Sequence, residues 1–286
     1  MIEFPVIVGS DGRPIVVQKI AHPAIYLDTW ALRLFAEDDH ALGERFRNAL
    51  LGARGTLMLS FLSIGEFTQF ADPRHARQVG EFTESIIPFL FFSRFDPFPV
   101  IQDELLIACG QRNGTPAGDM YLLELYAKSR SQHGGRNSIR NWFVDMQADR
   151  RNTGASVQEM AGRFLAAVAE LRERLATEPN FVKLARDNIK ASILPRATQA
   201  LLRALIYRLD PKMALTVNDA LDIGHFLVPA AYADFVLLDR RWYLRVEDAR
   251  NYLRGEGIET RIAEQYTQRD GGVLKFLERL EGWTVG

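Results

Sequence analysis

Four acidic residues of this chain lie close to the ends of apolar runs. Asp28 closes the run 24–27 and Asp239 closes the run 235–238, while Glu66 follows a third run by about one turn and Asp222 precedes Asp239 by 17 residues. If the runs are parallel strands of one sheet, the four carboxylates meet at its carboxyl edge, where open α/β sheets bind ligands. Crowded carboxylates repel and raise one another's pKa values, so a divalent cation is their simplest partner.

Helix capping is the structural alternative for Asp28 and Glu66. Asp28 precedes a short helical pattern, so its carboxylate can accept a backbone N–H as the N-cap of that helix. Ser63 and Glu66 fit the S-x-x-E capping box, in which each side chain satisfies a backbone donor at the other residue. Either role explains the spacing without any chemistry, and the residues alone leave both interpretations open.

Local pairing is the alternative for Asp222 and Asp239. Asp222 lies among apolar residues of a helical pattern, where a buried carboxylate needs a partner, and His225 at i+3 can supply it. Asp239 precedes two arginines, and either can pair with it. Asp234 enters the same predicted strand as Asp239 from the other end, some 16 Å away at roughly 3.3 Å per residue. We therefore predict a purely structural role for Asp234.

The elements that must position these acids follow an α/β pattern. Apolar, β-rich runs predict buried strands over 24–27, 57–60, 235–238 and 258–263. Helical spacing predicts helices over 29–35, 41–51, from 63 onward, 120–127, 157–175, 196–209, 218–231, 249–254 and 274–280. Two β-rich runs on either side of a Gly9–Gly12 turn predict an N-terminal β-hairpin over 4–18, which can cover a sheet edge.

A long helical segment interrupts the α/β pattern, because strand signals nearly vanish between about 103 and 208. We predict an α/β core in two parts, 1–102 and 213–286, with a helical insertion over 103–212. The proline-marked stretch 95–99 reads as a rigid connection, and 86–92 is too apolar throughout to assign to helix or strand.

The net charge of −1 hides an asymmetry along the chain. Residues 128–212 contain 16 Lys/Arg against 8 Asp/Glu, whereas the remainder contains 19 basic and 28 acidic residues. The basic segment can bind a polyanion such as nucleic acid while the acidic remainder holds metal. Solvated, arginine-rich helices are the alternative. The candidate nucleic-acid contacts, near Trp142 and Phe143, are Arg130, Arg136, Arg140, Arg150 and Arg151.

Composition excludes several classes of protein. No apolar stretch approaches the roughly 20 residues of a membrane span, and the opening five residues lack the features of a signal peptide. The single cysteine, Cys109, excludes an internal disulfide framework, and the five histidines have no paired metal-ligand spacing. We therefore expect a cytoplasmic protein without a membrane partner. Assembly into a homo-oligomer is left open.

Taken in order, these residues resemble the PIN-domain family of metal-dependent nucleases. The resemblance covers about 22–92 and 214–270. Its motifs are Tyr26–Thr29, Ser60–Glu66 with its two serines, Asp222 with His225, and Phe235–Asp239 followed by Trp242. The chain departs from the family at Trp30, where asparagine is frequent, and at Leu237–Leu238, where a hydroxyl commonly precedes the last Asp.

The resemblance implies a PIN-like, three-layer α/β/α fold with a parallel sheet. It also implies that Asp28, Glu66, Asp222 and Asp239 hold one or two Mg²⁺ or Mn²⁺ ions and catalyse phosphodiester hydrolysis, most often in RNA. A PIN-like module that binds nucleic acid or protein without catalysis is the alternative. A haloacid-dehalogenase-like phosphatase is disfavoured, because Trp30 stands where that class needs a second Asp.

Overall fold

A computed structural model describes residues 1–3, 16–132, 139–180, 183, 197–209, 213–258 and 260–284. The strands are β1 Ile2–Glu3, β2 Val17–Gln18, β3 Ala24–Leu27, β4 Thr56–Ser60, β5 Leu90–Ser93, β6 Phe235–Leu237 and β7 Glu264–Tyr266. The first helices are α1 Thr29–Arg33, α2 His40–Ala53, α3 Phe61–Gln69, α4 Pro73–Glu84, α5 Pro97–Ala108 and α6 Met120–Gln132, with a π-helical turn Leu34–Asp38 after α1. The remaining helices are α7 Ile139–Ala148, α8 Arg150–Thr177, α9 Ala197–Arg208, α10 Val217–Tyr232, α11 Arg240–Gly255 and α12 Gly272–Glu281.

The central sheet has five parallel strands in the order β5-β4-β3-β6-β7. The chain winds from β3 outward through β4 to β5, and then returns to place β6 on the other side of β3. The strand order therefore reverses between β3 and β6, which makes that junction the topological switch point of the sheet. Open α/β sheets bind ligands in the crevice at such a point.

Helices cover both faces of the sheet, because alternate residues of each buried strand point to opposite faces. On one face, Tyr26 and Val236 share a core with apolar residues of α5, α8, α9, α10 and α11. On the other face, Ile25 and Leu237 share a core with α1, α2, α3, α4, α6, α7 and α12. The predicted α/β class and parallel sheet are confirmed, and the arrangement is that of a three-layer α/β/α fold.

The helical segment 103–212 supplies residues to both cores. Helices α6 and α7 pack on one face of the sheet, whereas α8 and α9 pack on the other. The predicted boundary at 102/103 falls inside α5. The division into a core and an insertion stays a prediction, but the described helices of this segment are part of both layers.

Several element boundaries differ from the sequence prediction. The predicted last strand over 258–263 is wrong, because Ile258 and Ala263 pack into the first core and pairing with β6 begins only at Glu264. The stretch 86–92 ends in strand β5, and the 95–99 connection instead contains the start of α5, where Asp96 caps the helix with Pro97 at its first position. Apolar runs and prolines each occur in more than one kind of element, so neither identifies an element by itself. The sequence prediction was wrong at these places for that reason.

The N-terminal strands support the edge of the sheet at β5. Strands β1 and β2 pair antiparallel, as a hairpin requires, while residues 4–15 of the predicted hairpin lie outside the described part of the chain. The Gln18 side-chain amide bonds the backbone of Phe92 twice, donating to its O at 3.1 Å and accepting from its N at 2.9 Å. No helix among the described residues combines the length and apolarity needed to cross a membrane.

Candidate acidic site

Asp28 and Asp239 lie on either side of the switch point, each just after its strand. The backbone N of Asp28 donates to the O of Leu237 at 3.1 Å, which joins the two strand ends directly. Each carboxylate is the N-cap of the next helix: Asp28 Oδ1 accepts from the N of Thr29 at 2.8 Å, and Asp239 Oδ1 accepts from the N of Trp242 at 2.9 Å. The capping role expected for Asp28 is thus present. Pairing of Asp239 with a following arginine is not, because Arg241 pairs with Asp219 instead.

Glu66 is not part of a capping box. Helix α3 begins at Phe61 rather than Ser63, because Ser60 is its N-cap and accepts the Ser63 N–H at 3.2 Å. Glu66 therefore lies inside the helix, where its Oε2 accepts a hydrogen bond from the Thr29 hydroxyl. Its Oε1 lies 3.0 Å from Nε2 of His225. The capping box that Ser63 and Glu66 would form, which explained their spacing without any chemistry, is therefore absent.

Asp222 is held by a tryptophan rather than by His225. The indole Nε1 of Trp242 donates to Asp222 Oδ2 at 2.8 Å. Trp242 is itself buried, and the guanidinium carbons of Arg241 and Arg245 lie 5.2 and 5.1 Å from the centroid of its ring. The same residue thus provides the backbone N–H for Asp239 and the side-chain N–H for Asp222, which ties the two acids together.

His225 belongs to a buried polar network behind the acids. Its Nδ1 lies 2.9 Å from the hydroxyl of Tyr26, which lies 3.3 Å from the Ser63 hydroxyl. That hydroxyl is 3.0 Å from the hydroxyl of Ser60. His225 Nε2 is close enough to Glu66 for an ion pair, yet it is not aligned for a hydrogen bond and has no hydrogen-bond partner among the described residues.

The four acids and His225 are coupled electrostatically. Burial raises the pKa of Asp28 to about 6; Glu66 and Asp239 also raise it, although His225 and the Thr29 N–H oppose them. Burial likewise raises the pKa of Asp222, with the Asp239 carboxylate adding to the effect and Trp242 opposing it. Burial also works to raise the pKa of Glu66, but contact with His225 and the Thr29 hydroxyl outweighs it, so the pKa is lowered.

His225 is the positive group of this cluster when its ring is protonated. Burial alone would lower its pKa, yet Glu66, Asp28 and Asp222 together raise it above the usual value. The structure therefore brings the four acids named from sequence into one electrostatically coupled group around a buried imidazole. This group is called the acidic cluster below, and it consists of Asp28, Glu66, Asp222, Asp239 and His225.

The donor atoms of the acidic cluster suit a hard divalent cation. Asp28, Asp222 and Asp239 each use one carboxylate oxygen in a hydrogen bond, and within the described chain the other oxygen has no such bond. No three acidic, His or Cys side chains among the described residues converge closely enough to hold an ion as they stand. An ion bound here would therefore need the carboxylates to lie closer together than they do in this structure.

Two neighbouring acids have structural roles. Asp219 forms a capping box with Thr216 at the start of α10 and also pairs with Arg241, so it fixes the helix that carries Asp222 and His225. Asp234 lies at the opposite end of β6, as predicted, and there it binds the Ala24 N–H, His22 and Arg261. The N-cap of helix α10 is Thr216.

The structure gives mixed results for the five arginines predicted to contact nucleic acid, which are Arg130, Arg136, Arg140, Arg150 and Arg151. Arg136 lies outside the described residues, and Arg140 forms an exposed pair with Glu81 at 3.3 Å. Arg150 and Arg151 are exposed at the start of α8. Trp142 and Phe143 are buried against the sheet, so neither ring is exposed beside these arginines.

Tyr26 is the member of the polar network that sequence reasoning missed as a functional residue. Tyr26 lies in the buried and otherwise aliphatic strand β3, and only its hydroxyl group distinguishes it from an apolar core residue. A buried tyrosine hydroxyl usually finds a hydrogen-bond partner, which was the available signal.

Comparison of the chain with protein-family models, with curated proteins and with solved structures gives no match.

Proposed function

We propose that this protein is a PIN-like, metal-dependent nuclease that hydrolyses phosphodiester bonds, with RNA as the first substrate to test. The observation that carries the proposal is the position of the acidic cluster at the switch point of a parallel sheet. Structural needs alone do not gather four carboxylates there, because the capped helices and the Trp242 hydrogen bond would each accept a neutral Asn or Gln.

Each acid of the cluster is held by a different contact. Asp28 and Asp239 are fixed by helix capping, Glu66 by the Thr29 hydroxyl and Asp222 by the Trp242 indole, so each presents a carboxylate oxygen from a separate element. These four would hold Mg²⁺ or Mn²⁺. A bound divalent ion neutralises charge on the phosphate and lowers the pKa of a water molecule.

The start of α8 supports a nucleic-acid contact beside the cluster. The Gln69 side chain donates to the backbone O of Arg150 at 3.2 Å, and Gln69 lies one helical turn after Glu66 on α3. Arg150 and Arg151 are therefore the arginines that we propose as contacts to a nucleic acid bound near Glu66. Contacts of this kind to the phosphate backbone give affinity that is independent of sequence and falls with salt.

A PIN-like module that binds nucleic acid or protein without catalysis is the second candidate. It is favoured by the fact that each acid already has a structural partner and that no three described ligands converge. Binding of RNA without cleavage in any divalent ion would favour this candidate.

The deciding experiment is cleavage of single-stranded RNA and DNA with Mn²⁺ or Mg²⁺. We expect Asp28→Asn and Asp222→Asn to lower the cleavage rate by roughly 100-fold or more. Glu278→Gln is the matched control, since Glu278 is an exposed acid on α12, outside the cluster. Equal cleavage by the wild type and both cluster variants would refute the proposal.

A further inference from the structure

The His225 imidazole has a buried nitrogen that makes no hydrogen bond and faces the acidic cluster. His225 is only 3% exposed, and its Nε2 has no hydrogen-bond partner among the described residues. A buried polar atom without a hydrogen bond destabilises a protein, although this one lies within ion-pair distance of Glu66 when the ring is protonated. Native structures rarely keep such an atom unless an ion or a water satisfies it.

The spacing between this nitrogen and Glu66 is that of two ligands of one ion. Nε2 lies 3.0 Å from Glu66 Oε1, and the other carboxylate oxygen is occupied by the Thr29 hydroxyl. Two donor atoms bound side by side to an octahedral ion, with bonds of about 2.1 Å, lie about 3.0 Å apart. The pair is therefore spaced for shared coordination while it is misaligned for a hydrogen bond.

The hydroxyl network can hold the ring in the tautomer that coordination needs. If Nδ1–H donates to Tyr26, Tyr26 can donate to Ser63 and Ser63 to Ser60. This direction leaves a lone pair on Nε2, facing Glu66, once an ion has displaced the proton that the surrounding carboxylates favour on the ring. Metal-binding histidines commonly donate their second N–H to such an outer partner, which fixes both the tautomer and the ring orientation.

We propose that His225 is a nitrogen ligand of the ion bound at the acidic cluster and makes the site prefer a first-row transition ion to Mg²⁺. This inference rests on the proposed function, because it requires the four carboxylates to hold metal. Mg²⁺ takes oxygen ligands almost entirely, whereas first-row transition ions accept imidazole beside carboxylate. Tyr26 acts through His225 and is a positioning residue.

The direct test is electron spin-echo spectroscopy of bound Mn²⁺ in protein labelled with [¹⁵N]histidine. We expect the nitrogen coupling to change from a ¹⁴N to a ¹⁵N pattern on labelling, which only a coordinated histidine produces. The wild-type spectrum decides the question without any variant. Bound Mn²⁺ without histidine coupling would overturn the inference and leave the proposed metal site intact.

Two variants and a matched control extend the test. We expect His225→Asn to abolish the coupling, and Tyr26→Phe to weaken Mn²⁺ binding roughly 10- to 100-fold while affecting Mg²⁺ less. His22→Asn is the control, since His22 also pairs with a carboxylate but at the opposite end of the sheet. A ratio of Mn²⁺ to Mg²⁺ affinity that His225→Asn leaves unchanged would contradict the inference. Absence of Mn²⁺ binding would overturn the metal site too, and the cleavage assay then judges the nuclease proposal separately.

Discussion

Asp28 shows at the scale of one residue how the site lowers the stability of the protein. Burial raises its pKa from 3.8 to about 6. The folded protein therefore binds a proton here more tightly than the unfolded chain does. That stabilisation is fully present below pH 3.8 and is lost as the pH rises through about 6. At neutral pH the charged Asp28 carboxylate destabilises the folded protein, and a bound cation would offset this destabilisation.

We expect Asp28→Asn to stabilise the metal-free protein at pH 7.5 by up to about 3 kcal/mol, because one pKa unit corresponds to about 1.4 kcal/mol. Asparagine keeps the N-cap while removing the charge. The gain should fade as the pH falls from 6 toward 4, where the wild-type carboxyl is protonated in the folded state. Urea unfolding in EDTA across this range measures it, and a gain that does not vary with pH would show that charge is not the cause.

The positions of the four acids at strand ends and on helices could be predicted from sequence, while their hydrogen-bond partners could not. Each acid is local to a run end or a helix pattern, which sequence displays. The hydrogen bond from Trp242 to Asp222 joins residues 20 apart, and the contact between His225 and Glu66 joins α10 to α3. Such contacts follow from how layers pack, so the structure replaced the capping box and the His–Asp222 bond with longer-range partners.

At the scale of elements, helix α10 carries two members of the acidic cluster. Its first turn is stabilised by the capping box that Thr216 forms with Asp219. The Thr216 hydroxyl accepts the Asp219 N–H at 3.2 Å, and the Asp219 carboxylate in turn accepts the Thr216 N–H at 2.9 Å. We expect Thr216→Ala to lower the free energy of unfolding by about 1 kcal/mol, and Thr216→Ser to keep most of it. Urea unfolding of both variants measures the difference. Equal loss in both would point to the methyl group instead of the cap.

A close helix crossing joins α4 to the helical segment. A methyl group on Gly80 would lie 2.7 Å from the Cα of Arg140 on α7. We expect Gly80→Ala to destabilise the protein by about 1–3 kcal/mol, because backbone cannot give way as a flexible side chain does. Gly162→Ala is the control, since that position in α8 is open and alanine favours a helix there by roughly 0.5–1 kcal/mol. Thermal unfolding compares the two, and the same shift in both would refute the crossing as the cause.

Element types were predictable where periodicity was clear, and element ends were not. Residues 24–27 match β3, but Ile258 and Ala263 look like strand positions although they serve the helical layer. A run of apolar residues indicates that a segment is buried. Only its backbone hydrogen bonds determine whether that segment is a strand, a helix or a connection.

At the scale of the whole molecule, the described helices of the segment 103–212 contribute residues to both cores. Phe143 and Val168, on α7 and α8, are buried in opposite layers of the sheet. We therefore expect one cooperative unfolding transition by calorimetry for the full chain. Replacing residues 119–209 by a short flexible linker should leave a chain without native near-UV circular dichroism. Two separate transitions, or a folded truncated chain, would instead support an independent inserted domain.

The amide of Gln18 bears on how copies of this protein behave when crowded. Strand β5 is an outer strand of the sheet, and its Phe92 N–H and O are already bonded by that amide. Unpaired groups on outer strands are the template on which another chain can add and begin fibril growth. Gln18, together with the Asp119 N–H that donates to the Phe92 O at 2.8 Å, thus substitutes for a sixth strand at Phe92 and withholds that template there without extending the sheet.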